Sequence, residues 1–401
     1  MPNFTLHYGH GKKFDCEIEG ENSIWQHLGP ETAADPTSII QTAINEPLEY
    51  PGIEQAVVPG DRVSIVVDPE TPCWPDIVAA LRQQLLSAGI ESNSIRVALN
   101  REISEQDLPA NLSPETVGTV ISYAEVMKGR SVYVASTAEG ERIYLPEEIG
   151  EADFVISLGP FGFHEQWGYH GTYSIIYPAF ASDEQQEKFQ AGSQQELTPE
   201  TSRGTRQTID EAGWLLGLQY TVQVIPSRAG KLGHIISGSN DAVYREAVNL
   251  LDQHWRIQNA KRVETVVISL PAEPGCNIWQ AISRTCKAAQ SLVQADGRVM
   301  LLTDLKELPR ELIDPLTMCD DLSDAIRMLN SLNSPEALAL HAIASLAQAT
   351  KLYLLSELEP DLLENLYCIP LANPKEMQNA IQGGDSYALL NGGSFVYVEN
   401  E

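Results

Sequence analysis

Three segments of this chain place polar side chains directly after apolar, strand-like runs, and their residue types suit proton transfer and anion binding. The richest is Gly159–Ala179, GPFGFHEQWGYHGTYSIIYPA, which follows the run ADFVISL of residues 152–158. It carries His164 and His170, and an imidazole titrates near neutrality and can give or hold a proton. Tyr173 and Ser174 add hydroxyls, and Gly168 and Gly171 let backbone approach a ligand closely. No lysine occurs from Glu165 to Glu187. The second segment is DPETPCWP, residues 68–75, where Asp68 and Thr71 precede a helical pattern. There they cap the helix or place a phosphate or ribose at its N-terminus. The third opens on Asn100 and Arg101, and a guanidinium clamps anions with paired hydrogen bonds. His7 and His10, three apart in the first predicted hairpin, are not read as a metal pair, and no metal site is expected.

The elements that position these segments follow from hydrophobic periodicity. VSIVVD (63–68) is a short buried run, Pro75–Gly89 places Ile77, Leu81, Leu85 and Leu86 on one helical face, and SIRVAL (94–99) is the next strand. Strand, loop, helix and strand in succession make the unit of a parallel sheet, and such sheets bind ligands at the carboxyl ends of their strands. Hairpins are predicted around Gly9–Gly11, around Glu139–Gly140 and between 220 and 237. Helices are predicted at 34–47, 205–217 and 241–255. A fresh parallel unit starts at ETVVISL (264–270), with a helix over 277–294, a strand over 297–302, helices at 320–331 and 335–349 and a strand at 351–355. SYALL (386–390) and SFVYV (394–398) read as closing strands. The fold class is therefore α/β: two α/β domains with mainly parallel sheets and an interdomain cleft. The expected boundaries are 1–262 and 263–385, with the strands of about 386–401 returning to the first domain.

Composition narrows the partners. A chain of 401 residues with 43% hydrophobic content suits two globular cores. A net charge of −29 opposes binding to nucleic acid and to anionic membrane surfaces. No run approaches the length of a membrane span, and the first residues lack a signal-peptide core. Cys16, Cys73, Cys276, Cys286, Cys319 and Cys368 are scattered without metal-site spacing, which fits reduced thiols and a cytoplasmic location. The expected partner is a small anionic molecule; the oligomeric state stays open.

In order along the chain, these segments resemble those of the nickel-pincer lactate racemase family. VVDPETPCWP (66–75) resembles its VVDDxTRPxP loop, VALNREIS (97–104) its GTHRxMT loop, and LGPFGFH (158–164) with GYHGTYSIIYPAF its GxxxPHxxAGFSGGxKSxxPG loop. GLQY through Ser237-Gly238 resembles a hairpin near the end of the first domain, and PGCNIWQA (274–281) resembles PKDxNLYQA in the second. The resemblance implies a two-domain fold in which a lysine-tethered pincer nucleotide holds nickel and accepts a hydride from lactate. One histidine completes the nickel site, two more exchange protons, and an arginine and a lysine hold the substrate carboxylate.

Most of those positions differ here. The tethering lysine falls on Ser174, the loop arginine on Pro72, the first proton-exchanging histidine on Asn100 and the carboxylate-holding lysine on Pro274. Residues 183–200, where the nickel ligand belongs, contain no histidine; His164 alone is kept. Asp68, Thr71, Pro75, Arg101, Gly168, Gly171, Pro178, Asn277 and Gln280 keep the family's loop residues. No resident cofactor is therefore expected. Three readings stand: a racemase-fold protein without nickel-pincer chemistry, binding a small anionic or nucleotide ligand as a sensor or regulatory partner; an isomerase or other enzyme on a 2-hydroxy acid or sugar acid, with His164 as acid/base and Asn100, Arg101, His170, Tyr173 and Ser174 as polar partners; or an active racemase. Trp167 and Tyr169 are read as walls of the cavity rather than as stacking platforms.

Overall fold

A computed structural model describes residues 3–19, 23–103, 119–164, 168–182, 185, 186, 189, 204–272, 277–309, 312, 319, 321–332 and 334–399. The chain divides into two compact units. A central unit comprises residues 33–226 and 231–253, and a terminal unit comprises 1–32, 227–230 and 254–401.

The central unit is built on a six-stranded sheet with the order Leu232–Gly238, Tyr220–Pro226, Phe154–Pro160, Val63–Val67, Ile95–Leu99, Thr119–Ile121. Every neighbouring pair is parallel except the first, which is the predicted hairpin. Val63–Val67 is buried at all five positions, as a strand covered on both faces requires. Val63, Ile65 and Val67 face a layer that includes Ile40 and Ile44 of the helix Pro36–Asn45 and Ile77, Leu81 and Leu85 of Trp74–Ser87. Val66 faces the other way, toward Ile175, Ile176, Tyr177 and the helix Gly204–Leu216 through Ile209 and Ala212. That face also carries a buried polar strip. Ser157 donates to Thr221 Oγ1 at 2.7 Å, and Gln223 Nε2 donates to the same atom at 2.7 Å.

The terminal unit holds a six-stranded, fully parallel sheet with the order Ile369–Leu371, Lys351–Leu355, Val293–Leu302, Val263–Ser269, Ser386–Leu390, Ser23–His27. The predicted N-terminal hairpin, Asn3–Tyr8 with Lys12–Glu17, packs Leu6 and Phe14 against Met300 and Leu302. Its glycine turn is tied to the sheet: Gly9 N–H donates to Leu270 O at 2.8 Å, and Ala272 N–H donates to Gly9 O at 3.0 Å.

These pairings correct the expected domain limits. The strand Ser386–Leu390 does not return to the first sheet; it lies between Val263–Ser269 and Ser23–His27, and the N-terminal hairpin joins the same unit. Four of its five residues are buried, so it needs neighbours on both sides and finds one of them at the opposite end of the chain. The second closing strand is shorter than expected, Tyr397–Glu399, and pairs with Arg256–Gln258.

Candidate functional site at the carboxyl edge of the central sheet

Asp68 and Asn100 are set by the sheet itself. Asp68 N–H donates to Leu158 O at 2.8 Å, and Asn100 N–H donates to Val67 O at 2.9 Å, so both extend the parallel ladder by one rung. Beyond them the chain turns. Asp68 O accepts the backbone N–H of Thr71 at 3.0 Å and its hydroxyl at 2.6 Å, while Asp68 Oδ1 accepts Glu70 N–H at 3.0 Å. The expected capping role of Asp68 and Thr71 is thereby corrected. They brace their own turn, and the following helix begins behind Cys73, which sits at φ +59° and gives no side-chain cap. Arg101 reaches back across this turn, with one amino group 2.7 Å from Asp68 Oδ2 and the other 2.6 Å from Glu70 Oε1. Glu70 is a participant that sequence reasoning missed; it lies 31 residues from its partner, and no local pattern marks such a pair. One guanidinium thus bridges two carboxylates at this corner.

The turn Thr172–Ile175 closes over the same edge. Ile175 Cδ1 stands 2.0 Å from the point that a Cβ on Gly159 would occupy, so a larger residue there would displace the Ile175 side chain. Asn100 Nδ2 donates to Ile175 O at 3.0 Å, and the buried Asn100 Oδ1 has no partner among the described residues. Ser174, 9% exposed, accepts Gly171 N–H on its hydroxyl at 2.8 Å and donates to Gly171 O at 3.1 Å. Gly171 lies at φ +136°, and an added Cβ would meet Phe161 and Gln223 Oε1 within 2.5 Å. Tyr173 lies against Gly213 in the helix Gly204–Leu216. Burial, with Asp241 and Asp210 adding to it, raises the Tyr173 hydroxyl above the usual tyrosine range. Burial, helped by Glu141, pushes Tyr177 up to about 12.

The stretch read from sequence as an open loop is partly a two-stranded ribbon. Gly162–His164 pairs antiparallel with Gly168–His170, opposing Gly162 to His170, Phe163 to Tyr169 and His164 to Gly168. Side chains alternate along a strand, so His164 and His170 project from one face and Phe163 and Tyr169 from the other. The aromatic face is the anchor. Tyr169 stacks on Phe161 with centroids 6.3 Å apart, meets Phe163 and Tyr244 edge-on, and donates its hydroxyl to Asp252 at 2.7 Å. Tyr169 is thus packed among protein side chains; Trp167 lies outside the described residues.

Residues 8–193 match the family model of the lactate racemase N-terminal domain. Over 100% of both chains, the fold is similar to that of the lactate racemase apoprotein from Thermoanaerobacterium thermosaccharolyticum, with a TM-score of 0.70 at 14% identity. The chain is lactate racemase-like. A protein of solved structure from Thermotoga maritima is similar over 90% of this chain and 97% of its own, with a TM-score of 0.59 at 10% identity. No curated protein matches the sequence.

The lactate racemase family implies a lysine-tethered nickel-pincer nucleotide, and the residues present do not fit that group. The position that the sequence resemblance assigns to the attachment lysine holds Ser174, which has no amine and whose hydroxyl is bonded to Gly171. Asn100 offers an amide that does not titrate in the useful range, and that amide holds Ile175 O. Asp68, Thr71, Asn100, Arg101, His164, Gly168, His170, Gly171, Tyr173 and Ser174 all belong to the central unit, whereas Asn277 and Gln280 belong to the terminal unit. There Asn277 caps the helix Ile278–Leu292, accepting Gln280 N–H at 3.2 Å. Pro274 and Ser104 lie outside the described residues.

Proposed function

We propose that this lactate racemase-like protein does not racemise through a tethered nickel-pincer nucleotide, and that it binds a small anionic ligand at the carboxyl edge of the central sheet. The observation that carries the reading is Ser174, which is buried and hydrogen-bonded at both ends to Gly171. A residue spent on closing its own turn is not a remnant of an attachment point. The altered positions 72, 100 and 274 support the same reading, since proton exchange and carboxylate clamping need titratable or cationic groups there. The scaffold meanwhile persists, which is how a new function is grafted on an old fold. The test is elemental analysis and intact-mass spectrometry of the purified chain, with a chiral assay of lactate. The expected result is unmodified mass, no stoichiometric nickel and no interconversion of enantiomers; a covalent nickel-nucleotide adduct overturns the proposal and restores an epimerising catalyst.

A second reading has its own observation. His164 and His170 share one face of a rigidly anchored ribbon, which suits an isomerase or other enzyme acting on a 2-hydroxy acid or sugar acid, with His164 as acid/base. His164→Ala then abolishes turnover in a panel of such acids while leaving the melting temperature nearly unchanged. Turnover that survives the substitution removes His164 from the chemistry.

A further inference from the structure

His10 is held in one orientation at the carboxyl edge of the terminal unit's sheet. Asp304, two residues beyond the strand Val293–Leu302, has a side chain only 6% exposed. Its Oδ2 accepts the backbone N–H of His10 at 2.8 Å and meets His10 Nδ1 at 2.9 Å. The turn that carries His10 is tied to the sheet through Gly9, which donates to Leu270 O and accepts from Ala272 N–H. Gly9 and Gly11 lie at φ +51° and +75°. A Cβ on Gly9 would collide with Asp304 Cγ, so the missing side chain is what lets the carboxylate approach. The backbone bond alone would pin this turn with any residue at position 10. The ring bond does something further. Burial by itself would raise the Asp304 carboxyl, but the His10 N–H groups, with Lys12, hold it below its usual value. An ionised carboxylate only accepts, so Nδ1 carries the ring proton and Nε2 keeps its lone pair. The imidazole is 63% exposed, and with Nδ1 turned to the buried carboxylate its Nε2 edge faces solvent.

Cationic side chains stand beside this pair. Lys12 and Lys306 share the Glu357 carboxylate, Lys306 at 3.3 Å. Glu357 N–H donates to Leu305 O at 2.9 Å, which sets the three next to the Asp304 turn. An imidazole with Nδ1–H on a carboxylate and a bare Nε2 is an activated nitrogen nucleophile, because the carboxylate balances the positive charge that the ring gains when Nε2 forms a bond. Ammonium groups suit the oxygens of a phosphoryl group. We propose that His10 is a phosphoryl-accepting residue, modified at Nε2 by a small activated phosphoryl donor of the phosphoramidate class. In this step Nε2 gives its lone pair to phosphorus, the donor's P–N bond breaks, and the bonding pair leaves with ammonia. The donor reacts as its zwitterion, so the ammonia needs no further proton. The Nδ1 proton stays in place, and Asp304 neutralises the imidazolium. Every residue of the site belongs to the terminal unit, and the proposal does not depend on what binds at the central sheet.

The test treats the full chain with potassium phosphoramidate in mildly alkaline buffer and follows it by intact mass, peptide mapping with electron-transfer fragmentation, and phosphorus NMR. The chain's eight histidines compete within one molecule, so wild type alone gives a readout that no folding defect can imitate. The expected result is a single phosphoryl group that appears on His10 before any other histidine, is attached at Nε2, and is lost in acid but stable in base. His10→Gln abolishes that early modification. Asp304→Asn, with its fold checked by circular dichroism, slows it by about tenfold or more, since the ring loses the group that sets its tautomer and balances its charge. Modification spread evenly over the histidines, attachment at His10 Nδ1, or no reaction overturns the proposal. So does a folded Asp304→Asn chain that reacts at the wild-type rate.

Discussion

Ser174→Lys restores the family's residue type at the position where it matters most, and the structure sets what that costs. Ser174 Oγ is the side-chain acceptor for Gly171 N–H at 2.8 Å and returns a bond to Gly171 O at 3.1 Å. Removing one partner of a buried hydrogen bond costs about 1–3 kcal/mol, so Ser174→Ala isolates that loss. Lysine loses the same bonds and must also place an ammonium at a position only 9% exposed. The penalty for an uncompensated buried charge comes on top, for a total of about 3 kcal/mol or more. A domain of 150–250 residues moves by roughly 2–4 °C in Tm per kcal/mol. Ser174→Ala should therefore lower the transition of the central unit by ~2–12 °C, and Ser174→Lys by more, in calorimetric scans of the full chain. Neither variant should gain a nickel adduct on intact-mass analysis. If Ser174→Lys melts with the wild type, the side chain has an open route out of the turn, and the serine is a substituted attachment point rather than a staple.

Arg101→Met leaves Asp68 and Glu70 facing each other without their shared cation. Because Arg101 is 37% exposed, solvent screening reduces the ~3–5 kcal/mol expected for a buried pair to about 1–2 kcal/mol. Urea titration should show that loss, smaller in high salt, and an unchanged midpoint would reduce the bridge to a surface pair. Gly213→Ala sits in a helix, where alanine ordinarily gains about 1 kcal/mol. Here its Cβ would stand 2.0 Å from Tyr173 Cδ1, and overpacking of about 1–3 kcal/mol should reverse the sign; a raised Tm would show that Tyr173 moves aside freely. In the terminal unit, burial alone would raise the Asp304 carboxyl, but the His10 backbone N–H and imidazole outweigh it and hold the group below its usual value. Its stabilisation is present above the unfolded-state value near ~3.9 and is lost as pH falls through the lower folded value. Asp304→Asn should therefore be less stable than wild type at neutral pH, with the difference vanishing at low pH; a constant difference would remove the carboxylate's charge from the account.

Elements whose pattern is local were legible in the sequence. The buried run at 63–67, the amphipathic helix at 74–87 and the hairpin over 220–238 lie within a residue or two of their predicted limits. What sequence reading missed is non-local. Nothing near Ser386 shows that its strand pairs with Ser23–His27 more than 350 residues earlier, because a largely buried run says that it needs neighbours but not which. The same holds at the site: Arg101 is conspicuous and Glu70 is not, yet the two meet at that corner. The ribbon was hidden for another reason. GFH and GYH are only three residues each, too short for an alternation to register, and their pairing rests on aromatic anchors that sequence reading took for simple bulk.

Why the scaffold tolerates such change at its chemical positions follows from how it holds them. Asp68 and Asn100 are placed by backbone N–H groups donating to Leu158 O and Val67 O, and those bonds form whatever side chain stands at the position. Gly159 fixes the approach of the Ile175 turn by lacking a Cβ, and that constraint is equally indifferent to residue 174. Asparagine at 100 and serine at 174 therefore stand on a ladder and core that the backbone sets, and their side chains make bonds that tighten the edge: Asn100 to Ile175 O, and Ser174 to Gly171. Each such bond makes a histidine at 100 or a lysine at 174 costly, since either would break a satisfied buried contact.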